Sequence, residues 1–215
     1  MTALGLRWTI GNVSPLGFQA LRLSLWGARR AFESSVPIAV VVNTLTLEEA
    51  RERVGDVPAS VTWMQAGELP HVLTEFLDAA MAEGVAWKLA PPRIFPGLYE
   101  LSLDNDCILW RVPQTVSRWL EEPEPRCLIT ADVSPAFGAF TGFTRAAPRN
   151  TGIRGLPPDH DLVHALERVL QQHPVRLRSE LDEQGLQAAA LDLDPPAHIV
   201  TTQEVSICSP FWPHR

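Results

Sequence analysis

At 215 residues the chain can bury roughly 70% of its unfolded surface in one core, and 46% hydrophobic with 20% charged residues is an ordinary globular composition. A net charge of −7 argues against nucleic acid as the main partner, since phosphate backbones are gripped by basic stripes; a small anionic ligand needs only a local positive patch or a cation. No apolar run approaches the ~20 residues of a membrane span, and the N-terminus lacks a basic start followed by an apolar segment. The expectation is a cytoplasmic protein with no membrane span.

In chain order, residues 6–12 read as a short strand. Ser14-Pro15 then combines an N-cap with proline at the first helical position, and Phe18, Leu21, Leu25, Ala28 and Phe32 repeat at helical spacing. Residues 37–43 (PIAVVVN) form a β-branched apolar run, as expected of a strand covered on both sides. Thr46 and Glu49 form a capping-box pattern opening a short helix. A strand follows at 60–64 and a longer helix from about 70 to 87. Proline and glycine at 91–92 and 96–97 break the chain before a strand at 99–103 that stops at Asp104.

Residues 127–131 form the next strand candidate. The Gly/Pro-punctuated stretch from there to Pro158 is too long for a simple connector and reads as an irregular binding loop. Residues 161–172 are amphipathic, with Leu162, Ala165, Leu166, Val169 and Leu170 on one side; a helix at 182–191 and a short strand at 198–201 precede the tail. Alternating strands and helices imply one α/β domain over residues 1–215, built on a mainly parallel sheet with helices on both faces. The three cysteines, Cys107, Cys127 and Cys208, lack CxxC spacing and read as reduced core thiols. Most of the seven tryptophans read as core or pocket wall, and none is assigned to ligand stacking.

The segment LSLDNDCIL (residues 101–109) places Asp104 and Asp106 two residues apart between apolar flanks. Ligands in open α/β sheets bind beyond the carboxyl ends of strands. Two carboxylates there repel unless they share a proton or cation, and a hard divalent ion, Mg²⁺ or Mn²⁺, suits all-oxygen ligands completed by substrate phosphates. The plainer reading makes both acids solvated turn residues.

Residues 87–109 resemble a block of the GT-A-fold glycosyltransferases, particularly the glycogenin-like group, in which a basic residue and proline-containing segments precede a strand ending in Leu-Asp-x-Asp. Lys88, Phe95-Pro96 and Leu103-Asp104-Asn105-Asp106 stand at the corresponding places. Thr9 to Asn12 is similar to the element that holds the nucleotide base, Asn150-Thr151-Gly152 to an Asn-Ser-Gly after the acidic motif, and Asp182-Glu183-Gln184 to an Asp-Gln element that reaches the donor sugar. The resemblance implies a nucleotide-sugar donor, UDP- or GDP-linked, and an unknown acceptor. Asp104 and Asp106 would hold Mn²⁺ or Mg²⁺ on the donor diphosphate, Lys88 would lie near that diphosphate, and Asp182 with Gln184 would hydrogen-bond the sugar. The third metal ligand would be His214, with His198 behind it. The group's His-x-x-Gly-x-Lys-Pro-Trp ending is replaced here by Ser209-Pro210-Phe211-Trp212-Pro213-His214-Arg215, and Lys88 is the only lysine in the chain.

Two other functions fit parts of the pattern: a non-catalytic nucleotide-sugar-binding protein, and a phosphatase of the haloacid-dehalogenase type, which also sets DxD after an apolar strand. In the latter the first acid is a nucleophile, but its Gly-Thr continuation and downstream lysine are missing. There is no P-loop, GxGxxG fingerprint or GxSxG elbow.

Overall fold

The computed structural model describes residues 3–78, 88–143, 147–192 and 195–206. β1 (Leu4–Ile10) is buried along almost its whole length. Ser14 caps α1 (Pro15–Ala31) by accepting from the Gly17 amide, and Phe18, Leu21, Leu25 and Ala28 form its buried face. β2 (Ile38–Val42) is buried at every position, as its unbroken apolar run requires. The capping box of α2 (Leu47–Val54) closes in both directions, the Glu49 amide reaching Thr46 Oγ1 at 3.2 Å and the Thr46 amide reaching Glu49 Oε2 at 2.9 Å. β3 (Val61–Gln65), the single turn α3 (His71–Thr74), β4 (Tyr99–Leu103) and α4 (Gln114–Glu121) follow. β5 (Leu128–Ala131), β6 (Arg149–Leu156), α5 (Leu162–Gln172), α6 (Glu180–Leu191) and β7 (His198–Val200) complete the described elements.

The strands make one seven-stranded sheet in the order β3-β2-β1-β4-β6-β5-β7. β1 pairs in parallel with β2 and β4, β2 with β3, and β5 with β7; β6 runs antiparallel to β4 and β5. Strand alternation sends successive side chains to opposite faces. Leu6, Trp8, Val40, Leu101 and Leu103 join α1, α2 and α4 in one apolar cluster, while Ile129 and Leu156 join α5 and α6 in another. The mainly parallel sheet with helices on both faces is therefore as expected.

Two expectations are corrected and one helix was not foreseen. The stretch 70–87 is not one continuous helix: after one turn, Leu77 forms a parallel bridge with Leu177, and the Asp78 amide donates to Leu177 O at 3.1 Å, so the backbone turns to lateral pairing. Residues 79–87 lie outside the described part. α4 was not foreseen, because only Thr115, Val116 and Trp119 carry its buried face. The supposed irregular stretch up to Pro158 contains β6, whose last six residues are all buried. Its sequence, RNTGIRGL, hides the strand for two reasons. Gly155 leaves room for Trp119, whose Cζ2 would stand 2.7 Å from an added Cβ, and Arg154 is buried by polar partners instead of apolar packing.

Candidate active site

β4 ends at Leu103, and the chain turns at once: the Asp104 amide donates to Gly152 O of β6 at 2.8 Å, and the Cys107 amide donates back to Asp104 O at 3.0 Å. This turn is locked to α1. Asn105 Nδ2 donates to Gly17 O at 3.2 Å, Trp8 Nε1 donates to Ser24 Oγ at 2.8 Å, and Ser24 Oγ donates to Cys107 O. Farther along, Leu109 O lies 2.6 Å from where a Cβ on Gly27 would be, so only glycine permits the approach. The Cys107 thiol is turned inward to Gly152 O at 3.2 Å, and burial, then the Asp104 and Asp106 charges, push its pKa far up, which leaves it inert as a nucleophile.

Asp104 and Asp106 both open onto a cavity of about 590 Å³ at this carboxyl edge of the sheet, a size suited to a small ligand. Asn150 and Gly152 line the same cavity, so four of the residues singled out in the sequence share one wall system. Asn150 Oδ1 accepts the Gly152 amide at 2.6 Å while its Nδ2 donates to Asp132 Oδ2 at 3.1 Å, which fixes the amide plane. A Cβ on Gly152 would stand 2.8 Å from Asn150 Oδ1 and 3.5 Å from Asp104 Oδ2; the glycine keeps the acid turn and β6 in close contact.

Lys88 contacts both the turn and β6. Its Nζ lies 3.1 Å from Asp104 Oδ2 and 3.0 Å from Thr151 Oγ1. Burial pulls the ammonium pKa down, but Asp104 and Glu183 outweigh it and hold the pKa above its ordinary value, so Lys88 stays charged. Thr9 and Asn12 sit on the neighbouring strand end. Trp8 pairs with Leu103, so Thr9 and Asp104 follow at the same level of adjacent strands. Asn12 accepts from Arg53 Nη1 at 2.8 Å and its amide donates to Thr44 Oγ1 at 3.2 Å.

Asp182 and Gln184 stand at the start of α6. Asp182 closes a capping box with Ser179, and its two oxygens accept from three backbone amides, those of Ala139, Arg178 and Ser179 at 2.8, 2.8 and 2.9 Å. Burial alone would raise its pKa; those bonds overcome it and leave the carboxylate below its ordinary range. Gln184 Nε2 donates to Ala136 O at 2.9 Å. His198, on β7, lies 3.2 Å from Glu122 Oε2 and does not line the cavity. His214 and Cys208 lie outside the described residues. Among the described residues no group of three or more histidine, cysteine or carboxylate side chains is arranged to hold a metal. A hard cation that takes its remaining ligands from phosphate and water needs only one or two carboxylates, and Asp104 with Asp106 meets that need.

The sequence reading missed Glu183 and Asp132, and it did not single out Trp110 as the tryptophan on the cavity wall. Glu183 is buried against α6's own Gln187, whose Nε2 donates to it; Arg154 Nη1 in turn donates to Gln187 Oε1. Burial raises the Glu183 pKa, Lys88 opposes and Asp104 adds to it, and the result is about 7. A signal was present: the box at Ser179 and Asp182 sets the helix phase, and that phase points Glu183 and Gln187, four residues apart, the same way.

No family model matches the sequence, and no curated protein matches it significantly. Solved structures do match. The galactosyltransferase LgtC, solved with donor and acceptor sugar analogues, shares 11% identity over 92% of this chain and 72% of its own, with a TM-score of 0.60. Mouse xyloside xylosyltransferase 1 shares 14% over 93% of this chain and 85% of its own, with a TM-score of 0.62. The glycosyltransferase GlyE of Streptococcus pneumoniae shares 12% over 94% of this chain but only 45% of its own, with a TM-score of 0.52. At such identities the shared property is the fold. This chain has the GT-A-type fold of the glycosyltransferases.

Proposed function

We propose that this chain is a glycosyltransferase that binds a UDP- or GDP-linked sugar through Mn²⁺ or Mg²⁺ at Asp104 and Asp106 and transfers the sugar to an acceptor. The observation that carries the reading is the placement of both carboxylates on one cavity at the carboxyl end of β4, within a glycosyltransferase fold. When bound there, a divalent cation supplies charge stabilisation for a departing nucleoside diphosphate. The chain's own groups do the rest. Asp104 and Asp106 hold the cation, and Lys88 keeps a fixed positive charge beside them, tethered by Thr151. Asn150, locked by Asp132 and Gly152, keeps β6 against the acid turn; Thr9 follows Trp8 as Asp104 follows Leu103, and in this reading Thr9 and Asn12 would hold the nucleotide base. In this reading Asp182 fixes the start of α6 through its three amides, and Gln184, held at Nε2 by Ala136 O and not among the residues lining the cavity, would reach a sugar hydroxyl through its carbonyl.

A second reading, a binding protein without turnover, draws support from the full engagement of Asp182 by backbone amides. Thermal shift with UDP- and GDP-sugars and Mn²⁺, paired with an assay for released nucleoside diphosphate, separates the two. A donor at one hundred times its dissociation constant should add about 2.7 kcal/mol of stability. Stabilisation with release supports transfer and stabilisation without release supports the binding protein; a flat response to every donor contradicts both.

A further inference from the structure

Past the acid turn the cavity is lined by Ile108, Leu109 and Trp110 together with the polar Arg111, Glu204 and Ser206, and Trp110 is 88% exposed while Trp8 and Trp119 are fully buried. Single exposed apolar side chains are ordinary. Trp110 differs because the backbone beneath it is anchored on both sides. Before it, Leu109 is buried and its carbonyl is seated against Gly27 of α1. After it, Pro113 opens α4, whose Thr115 amide and hydroxyl donate to Glu204 at 2.8 and 2.7 Å, fixing the neighbouring wall at Glu204 and Val205. The indole is thus held out on a rigid base at the mouth of the cavity that holds Asp104 and Asp106, with Ile108 beside it.

An exposed aromatic face on a cavity that also carries carboxylates and the Asn150 amide matches one ligand chemistry closely. A pyranose ring presents C–H groups on its face and hydroxyls around its edge. The electron-rich indole face attracts the former, and oxygen and amide groups bond the latter. We propose that Trp110 is the stacking platform for the acceptor, which is therefore a saccharide, with Ile108 and Val205 flanking the ring. The inference rests on the donor reading above, since it assigns the half of the cavity that the donor leaves.

The test uses the full chain as wild type, Trp110→Ala and Trp110→Phe. Saturation-transfer NMR with methyl β-galactoside, methyl β-glucoside and lactose, in the presence of UDP or GDP with Mg²⁺, reads saccharide contact, and calorimetry reads nucleotide affinity. Saturation should concentrate on the ring C–H protons of at least one saccharide. Its affinity should fall about tenfold in Trp110→Ala and stay within about threefold in Trp110→Phe, with nucleotide affinity equal in all three proteins. Four results overturn the proposal: no saccharide binding by wild type, undiminished binding by Trp110→Ala, loss of nucleotide affinity in Trp110→Ala, or self-association of wild type that Trp110→Ala abolishes in sedimentation. Failure of wild type to bind either nucleotide counts against the donor site itself, which the saccharide arm reads separately.

Discussion

The two faces of the sheet are built on different principles. On one, Leu6, Trp8, Leu101, Leu103 and Leu128 meet α1, α2 and α4 in an apolar layer. On the other, Ile129 and Leu156 meet α5 and α6 in a second apolar cluster, but the facing residues of β1, β4 and β6 include Arg7, Glu100, Ser102 and Arg154. Arg7 and Glu100 lie 3.5 Å apart and fully buried; Arg7 Nη1 also donates to Pro91 O at 2.6 Å, and Glu100 Oε2 accepts the Ile94 and Phe95 amides at 2.7 and 2.9 Å. Arg154 continues the line to Lys88 O, Ser102 and Gln187, and so to Glu183 beside Lys88 and Asp104. The apolar face specifies a sheet with helices. The charged face folds residues 88–98 under the sheet and delivers Lys88 to the acid turn.

If that division holds, Glu100→Leu should cost about 3–5 kcal/mol in urea unfolding, because it strands a buried guanidinium and two backbone amides. Replacing Arg7 with Met in the same chain should recover part of the loss, since the pair is removed together. Equal stability of the single and double variants would deny the coupling. On the apolar face, Gly155→Ala forces a methyl against Trp119 and should cost about 1–3 kcal/mol by the same measurement, with nucleotide binding unchanged in the folded fraction. A change in nucleotide affinity would show that the faces are not separate.

The smallest effect concerns pH. Glu183 holds its proton in the folded protein to about pH 7, against an ordinary 4.5. The unfolded chain releases that proton first, so wild-type stability contributed by this site falls as pH rises from 4.5 to 7 and the penalty is complete above 7. The stability difference between wild type and Glu183→Gln should therefore move against wild type across that window. A difference independent of pH would contradict the burial of an ionising Glu183.

The same division decides what could be read in advance. β1, α1, β2, α2 and β4 follow from apolar period and caps, because burial on the apolar face leaves its mark in Leu, Val and Ile. β6 escaped because its buried positions include Gly152, Arg154 and Gly155, which report close approach and polar pairing and interrupt the hydrophobic rhythm of Ile153 and Leu156. At the site, the place of Asp104 and Asp106 at a strand end was legible from the apolar flanks, while Lys88 was singled out only by the resemblance of residues 87–109 to the glycosyltransferase block. Glu183 was passed over although the Ser179–Asp182 box fixes the helix phase, since a buried acid and a surface acid look alike without that phase. Trp110 was hidden among tryptophans that do pack inside.

Calorimetry with UDP and GDP, with and without Mn²⁺, on wild type and Asp106→Asn bears most directly on the cavity at the end of β4. Nucleotide should bind wild type only when the metal is present, and the substitution should weaken that binding by about tenfold or more, the scale of one lost charge-assisted contact. Metal-dependent binding of equal strength in both proteins would contradict the assignment of Asp106 as a ligand.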